Sequence, residues 1–226
     1  MKKLLNAYAL FLFAILSLAG TSRAMEAVDS NSQNLQQSKS DKSEVKKYVE
    51  NLLDQTIAVL KDSTNSLEAK KEKLKTLLAD HLDAKTMSGN TLGPRKKSYN
   101  PEQLEAFATA YKEYLINSYA DLVKSYNGQK IEIKSTNEVN KDYYDVQTEI
   151  ISDGDQIFTI NYHVHKKEDK LQIVDIVTEG MSLINTQKAE FMNILNNQDL
   201  AALINNLKTK SLERADTKSL KKKGDA

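Results

Sequence analysis

The sequence contains no cysteine. This absence excludes a disulfide framework, cysteine-based metal sites and catalysis by a thiol. It also excludes a bacterial lipoprotein, because such a protein needs an acylated cysteine directly after its signal peptide. The chain therefore depends on packing and hydrogen bonds, and any covalent or metal chemistry has to come from other residue types.

An excess of charge of one sign is also missing, and so are the common nucleotide and hydrolase motifs. The 32 basic residues nearly balance 31 acidic residues, and loss of residues 1–24 would leave 29 basic residues. This balance gives no reason to expect nucleic acid as a partner. No Gly-x-x-x-x-Gly-Lys loop and no Gly-x-Ser-x-Gly motif occurs. If the protein works in an energy-driven process, a partner must supply the energy.

No segment is apolar for long enough to span a membrane. The longest apolar run covers residues 4–18, whereas a helical span needs about 20 residues. The run follows Lys2 and Lys3 and precedes Ser22 and Ala24, which are small residues at the −3 and −1 positions of a signal-peptidase site. We therefore expect a cleaved signal peptide at 1–24 and a periplasmic protein, since export without disulfides is typical of that compartment. An uncleaved anchor is the alternative.

The first part of the exported chain changes from unpatterned to helical. Residues 25–41 are polar and rich in Ser, Asn and Gln, which predicts a disordered leader. Apolar residues then recur at three- and four-residue spacing, with Ser43 as a plausible N-cap of the first helix. Further helices are predicted at 66–82 and at 100–126, where Asn-Pro-Glu-Gln is a strong helix start.

After Gly128 the apolar period changes from 3.6 to 2. Short turns separate the resulting segments, which indicates an antiparallel meander followed by two helices. The sequence thus predicts an α+β fold, a curved four-stranded antiparallel sheet packed by helices before and after it. We expect one domain at 42–210 and a charged flexible tail at 211–226. The predicted strands are 130–138, 143–152, 156–166 and 170–179, and the predicted closing helices are 181–196 and 199–210.

Three motifs resemble those of one known family. The most specific runs from Asp175 through Glu179-Gly180 to Ser182, with Phe191 and Asp199-Leu-Ala-Ala-Leu further on. A second block is His81-Leu-Asp-Ala-Lys-Thr-Met with Leu-Gly shortly after it. A third runs from Asn100-Pro-Glu-Gln to Tyr126-Asn-Gly-Gln. Together they resemble the toluene-tolerance family over residues 45–210. The loop at 94–98 departs from the family because it lacks the usual aromatic residue.

The resemblance implies both a fold detail and a function. Members of that family hold phospholipid tails in an apolar cleft between the sheet and the helices. The resemblance implies a non-enzymatic carrier without a cofactor, expected to be a monomer. Its partners would be a phospholipid, an outer-membrane lipoprotein complex and an inner-membrane ABC transporter complex, both engaged transiently.

Shared faces predict which residues line the cleft. Four-residue spacing places one set on one side of the long helix, and alternation places another on one face of the third strand. Met and Tyr suit such a site, because Met adapts its shape and Tyr is apolar with one polar end. Ordinary core packing is the alternative for each residue. The predicted lipid-binding residues are Tyr111, Leu115, Tyr119, Val123, Phe158, Ile160, Tyr162, Ile176, Met181 and Ile184.

Three groups of polar residues have patterns that also occur at metal, catalytic or lipid-headgroup sites. His163 and His165 point the same way on one strand, as a metal pair would, but a third ligand is lacking, so we interpret them as surface residues. Asp175 and Glu179 have the spacing of paired carboxylates, and we interpret them as structural. The basic tail at 208–223 has the composition to dock on anionic lipid headgroups, with a solvated tail as the alternative.

Three function classes follow from these features. The first is the phospholipid carrier. The second is a periplasmic protein-binding or chaperone-like module that uses the same sheet without lipid cargo. The third is a hydrolase, whose turnover would depend on Glu179 or on a histidine.

Overall fold

The computed structural model describes residues 31–124, 126–152 and 157–215. The predicted signal peptide at 1–24 lies outside these residues. Within the described ranges the chain forms helices α1 (Asn31–Lys61), α2 (Leu67–His81), α3 (Ala84–Leu92), α4 (Pro101–Ala120), α5 (Leu183–Asn197) and α6 (Leu200–Ala215). Its strands are β1 (Lys130–Asn140), β2 (Tyr143–Ile151), β3 (Ile157–Lys167), β4 (Lys170–Thr178) and β5 (Met181–Ser182). Short 3-10 helices occupy Gly93–Ser98 and Asp121–Lys124.

The strands form one antiparallel sheet in the order β1-β2-β3-β4-β5, so each strand pairs with its neighbour in sequence. The predicted α+β meander is confirmed, but the sheet has five strands rather than four. The additional strand, β5, follows a two-residue turn at Glu179 and Gly180, whose φ angles are 49° and 78°. A tight hairpin needs such positive φ values. Two residues are too few to show an alternating pattern, which is why the sequence did not predict β5.

One face of the sheet, called the inner face below, packs against helices. Pairing places Tyr162 opposite Val146 on β2 and Ile176 on β4, and directly paired residues share a face. Helix α1 packs on β1 and β2, while α3 and α5 pack on β4. Helices α4 and α6 pack on each other further from the sheet. The main core thus lies between the inner face and the surrounding helices.

Helix α1 begins twelve residues earlier than predicted, at Asn31 rather than at Ser43. Residues 31–41 are therefore helical and not part of a disordered leader, while residues 25–30 lie outside the described chain. The helix extends beyond its hydrophobic pattern because polar side chains at 38–44 contact the sheet, and such contacts cannot be predicted from apolar spacing. Lys166 Nζ on β3 lies 2.7 Å from both Asp41 Oδ1 and Glu44 Oε2, and the Ser38 hydroxyl donates to Glu138 at 2.8 Å.

Two further helix ends differ from prediction, and one start agrees. Helix α4 begins as predicted with a capping box in which Asn100 and Gln103 exchange hydrogen bonds of 2.9 and 3.0 Å. It ends at Ala120 and continues only as a 3-10 turn. Helix α6 runs to Ala215, so 211–215 is helical rather than a flexible tail. Asn117 Nδ2 donates to the buried Ser211 hydroxyl at 2.7 Å, which fixes that turn on α4. Residues 216–226 lie outside the description.

None of the helices in the described ranges combines the length and apolar character needed to cross a membrane.

Candidate functional site

Burial along the inner face changes from one end of the sheet to the other. At the closed end, Tyr144, Val146, Val164 and Ile173 are at most 2 % exposed. At the open end, the apolar side chains of the same face are only half-buried. Together with the half-buried Tyr119 on α4, they are called the groove strip. On the sheet, the groove strip consists of Ile131, Ile150, Phe158, Ile160, Tyr162 and Met181.

Two tyrosines of the groove strip combine partial exposure with a desolvated hydroxyl. Burial raises the pKa of Tyr162 to about 12. Burial also raises the pKa of Tyr119, and the nearby Tyr162 adds a smaller contribution in the same direction. Both phenols therefore stay protonated, as hydrogen-bond donors, at any physiological pH. A side chain that is partly accessible yet poorly hydrated at its tip is typical of a narrow cleft between helix and sheet.

The Tyr119 and Tyr162 hydroxyls differ from those of Tyr111 and Tyr48 in their hydrogen bonding. The Tyr111 hydroxyl donates to Gln187 Oε1 in a short hydrogen bond, and the Tyr48 hydroxyl lies 3.0 Å from His81 Nδ1. Neither Tyr119 nor Tyr162 has a side-chain hydrogen bond to any residue that the structure describes. Both side chains are half-buried rather than fully enclosed, so these two donors are accessible to a molecule that lies against the groove strip.

The predicted lipid-binding residues divide into three environments. Five of them belong to the groove strip, namely Tyr119, Phe158, Ile160, Tyr162 and Met181. Four are buried in the main core, namely Tyr111, Leu115, Ile176 and Ile184. Val123 is buried in a separate cluster with Leu74 and Ala120. On α4 the four-residue stripe passes from the core at Tyr111 and Leu115 to the groove strip at Tyr119, and Val123 follows in the 3-10 turn after the helix.

Ile131 and Ile150 lie in the groove strip but were absent from the sequence prediction. They are directly paired across β1 and β2, and Ile150 is paired with Phe158 of β3. The alternation of apolar and polar residues along each strand does place both residues on the inner face. Alternation separates two faces, but it does not report how deeply a position lies along the strand, which decides whether a residue is core or cleft.

Asp175 connects the end of the sheet to helix α5. Its carboxylate accepts hydrogen bonds from the Ser182 hydroxyl at 2.5 Å and from the Ile184 backbone N–H at 3.1 Å. Ser182 in turn caps α5 by accepting from the Asn185 N–H at 3.1 Å. Glu179 Oε1 accepts from the Thr159 N–H at 2.5 Å. Each carboxylate thus has its own backbone partner, and the pair positions Met181 at the open end of the sheet.

Comparison with known proteins identifies the family to which this fold and motif set belong. A family model described as MlaC protein matches residues 50–209. The chain belongs to the MlaC family. The resemblance to the toluene-tolerance family drawn from the sequence motifs is thereby confirmed.

The chain is similar by sequence to a binding protein of a phospholipid transport system and by structure to a phospholipid-binding protein. The intermembrane phospholipid transport system binding protein MlaC of Haemophilus influenzae is 26% identical over 131 residues. That match covers 56% of this chain and 61% of the relative, so the chain spans less than two thirds of its length. A phospholipid-binding protein from Ralstonia solanacearum, solved in complex with a phospholipid, superposes with a TM-score of 0.64 at 20% identity. It covers 74% of this chain and 96% of that protein, and it shares the fold.

Two histidines of this MlaC family member, His163 and His165, lie on the face of the sheet opposite the groove strip. His163 Nε2 is 3.3 Å from Asp145 Oδ1, and His163 Nδ1 is 3.9 Å from Asp175 Oδ2. The His165 ring stacks on Tyr143 with centroids 4.2 Å apart. In the part of the chain that the structure describes, no group of three or more His, Asp or Glu side chains has the arrangement of a metal site.

Proposed function

We propose that this protein is an exported phospholipid carrier that works in the periplasm as a monomer. It holds the acyl chains against the groove strip and moves lipid between an outer-membrane lipoprotein complex and an inner-membrane ABC transporter complex. Its activity is binding and release rather than turnover. The observation that carries the proposal is the half-buried apolar strip with two phenols, Tyr119 and Tyr162, that have no hydrogen-bond partner among the described residues. Membership of the MlaC family and the descriptions of the two relatives support it.

The groove strip matches the chemistry of a phospholipid at both of its ends. Isoleucine, phenylalanine and methionine side chains give acyl chains a dry surface, and methionine adapts to chains of different length. The Tyr119 and Tyr162 hydroxyls donate to ester or phosphate oxygens, which are acceptors without donors of their own. Acyl chains carry no charge, so the groove strip needs no charged residue to bind them.

The energetics favour a carrier that exchanges lipid without its own energy source. Each methylene removed from water contributes about 0.8 kcal/mol, so two sixteen-carbon chains gain on the order of 25 kcal/mol in gross terms. A bilayer offers the same gain, and transfer between bilayer and groove is therefore nearly balanced. The absence of a nucleotide-binding loop from the sequence fits this arrangement. Direction is supplied by the partner complexes.

Lipid analysis of the purified protein tests the proposal directly. Residues 25–226 are exported in a Gram-negative host, purified without detergent, extracted and measured by mass spectrometry. We expect near-stoichiometric phospholipid. Protein that is lipid-free and also takes up no phospholipid from vesicles would overturn the carrier function and favour the protein-binding module.

Charge insertion tests which residues line the cleft. Tyr119→Glu and Met181→Glu should leave the protein folded and lower its phospholipid content several-fold, because each places a carboxylate against an acyl chain. Tyr143→Glu is the matched control, since Tyr143 is half-buried on the opposite face of the sheet. Circular dichroism reports the fold. Normal lipid content in folded Tyr119→Glu and Met181→Glu protein would reject the groove strip as the site.

A further inference from the structure

A second pocket lies away from the groove strip, where α3, the 3-10 helix Gly93–Ser98 and the first turns of α4 meet. Its volume is about 190 Å³. The floor is apolar and is formed by Leu92, Leu104, Phe107 and Ala108. The buried Ser88 hydroxyl in its wall already donates to the Lys85 carbonyl at 3.1 Å. The interior therefore requires no polar partner, and it accepts an apolar group.

The pocket has the size of one side chain. A water molecule occupies about 30 Å³ of liquid, so the pocket holds the equivalent of about six waters. Pockets for drug-sized ligands are usually about 300–1,000 Å³. A phospholipid tail pair is too large for this space, whereas a single leucine-sized side chain fits it. Pockets of this kind receive the anchor residues of protein–protein interfaces.

Two lysine side chains line the pocket, and two further lysines lie on neighbouring segments. Lys85 and Lys96 line it, and Lys96 lies across Gly89, where an added Cβ would come within 2.8 Å of Lys96 Nζ. Lys97 is exposed on the same 3-10 helix, and Lys188 lies against Gly93. Among residues that the structure describes, Lys96, Lys97 and Lys188 have no carboxylate in ion-pair distance.

One acidic side chain also lines the pocket. Glu105 Oε2 is 3.4 Å from Lys85 Nζ, and both side chains are more than half exposed. A single exposed carboxylate offsets one lysine at most, and pairs of this kind contribute little to stability. The mouth therefore keeps a net positive charge.

The basic segment is held in place by Arg95. Its guanidinium donates to the Leu195 carbonyl and to Asn196 Oδ1, each at 2.6 Å. These bonds attach the 3-10 helix to the end of α5. The lysines and the pocket are consequently presented in a fixed arrangement, which lowers the cost of binding a partner.

We propose that this pocket is a docking site for an acidic segment of a partner protein, which inserts one apolar side chain between the lysines. Carboxylates of the segment pair with Lys85, Lys96, Lys97 and Lys188, and the anchor covers the apolar floor. Paired charges at the edge of a contact mainly raise the association rate and make it salt-dependent. The proposal deepens the carrier function by naming the partner chemistry of one docking surface, while lipid binding itself uses the separate groove strip.

The test uses a defined probe with residues 25–226. The probe is a blocked pentapeptide of four glutamates around a central leucine, and binding is followed by amide resonance shifts. We expect saturable binding that shifts Gly89 and Ala108 and weakens as salt is added. Lys96→Glu should lower the affinity at least tenfold. Gly89→Leu, whose added Cβ would first meet the flexible end of Lys96 and whose side chain is expected to occupy the pocket, should do the same. Lys141→Glu, an equal charge change on the exposed β1–β2 turn, should change it less than twofold.

Three results would overturn the docking site. The first is no saturable shift up to millimolar peptide. The second is equal binding by the two pocket variants and by Lys141→Glu. The third is the same resonance shifts with vesicles of phosphatidylglycerol and none with the peptide, which would mean a membrane surface. Lipid content is measured on every variant, so a failure of the carrier function is recognised separately from a failure of this site.

Discussion

At the scale of single residues, the tyrosines differ by whether their hydroxyl has a partner. Tyr111 is buried among Phe107 and Phe191, and its hydroxyl is satisfied by Gln187. This tyrosine is part of the core. Tyr119, two turns further along the same stripe, has no such partner among the described residues. Its half-buried hydroxyl is therefore the one that we propose as a donor to a lipid oxygen.

Removal of the Tyr119 and Tyr162 hydroxyls should weaken lipid binding without changing the fold. A Tyr119→Phe, Tyr162→Phe double variant keeps the apolar area and loses two neutral hydrogen bonds, each worth about 1 kcal/mol. We expect roughly tenfold or greater loss of affinity, measured by competition with vesicles that contain a fluorescent phospholipid. Tyr143→Phe serves as the control. An unchanged affinity in the double variant would mean that these hydroxyls do not contact the lipid.

The same phenols predict how stability depends on pH. The pKa of Tyr162 is raised from 10.0 to about 12 in the folded protein, and a group with a raised folded-state pKa binds its proton more tightly when folded. Its contribution is complete below pH 10 and is lost as pH rises from about 10 to about 12. Urea midpoints should therefore fall over this range. The decline should be shallower in the double phenylalanine variant, and an identical decline would contradict the assignment.

At the scale of elements, the junction of β4, β5 and α5 depends on one carboxylate. Asp175 accepts from Ser182 and Ile184, and so it joins the last strand to the first turn of the helix. A side-chain acceptor at a helix N-terminus stabilises by about 1 kcal/mol, and Asp175 has a second bond to the capping hydroxyl. The motif that carries the family resemblance is therefore a structural joint.

Asp175→Ala should lower the free energy of unfolding by about 2 kcal/mol, because the Ser182 hydroxyl and the backbone N–H groups of Ile176 and Ile184 lose their acceptor. For a domain of this size, this corresponds to a fall in melting temperature of about 4–8 °C. Differential scanning calorimetry measures it. Glu113→Ala, at an exposed position on α4, is the control and should shift the temperature little. A loss no larger than that of the control would show that Asp175 is dispensable at this joint.

At the scale of the whole molecule, the helices enclose the closed end of the sheet more completely than its open end. Helix α1 spans β1 and β2, and Lys166 fixes its N-terminal half through Asp41 and Glu44. These hydrogen bonds raise the pKa of Lys166 above its ordinary value. The Lys166 contacts with Asp41 and Glu44, called the Lys166 clamp below, are polar and lie away from the groove strip. They therefore contribute to the scaffold and not to the proposed lipid-binding surface.

Loss of the Lys166 clamp should therefore lower stability and leave lipid binding unchanged. Lys166→Met is expected to lower the free energy of unfolding by about 1 kcal/mol, the upper range for a partly exposed ion pair. Hydrogen exchange should increase in the N-terminal half of α1, around Ser38 to Glu44. Lipid content should stay at the level of the Lys141→Met control. A strong loss of lipid would mean that α1 forms part of the groove.

Much of this architecture could be predicted from local pattern. The change of apolar period at Gly128 located the meander, and the Asn100 capping box located the start of α4, because both signals depend on neighbouring residues only. The groove could be predicted only in part. Tyr111, Leu115 and Tyr119 share one face of α4, yet they differ in depth, and depth is set by elements distant in sequence.

The sequence by itself determined the order and type of the elements, the absence of thiol chemistry and the family, since periodicity, composition and motifs are properties of the chain. Only the tertiary structure decided which apolar residues remain half-buried, because that depends on how the helices pack against the sheet. It also decided that 31–41 is helical, through Lys166. The pocket with its lysines likewise belongs to the tertiary structure, since Arg95 attaches the neighbouring segment to α5 by a contact across 100 residues.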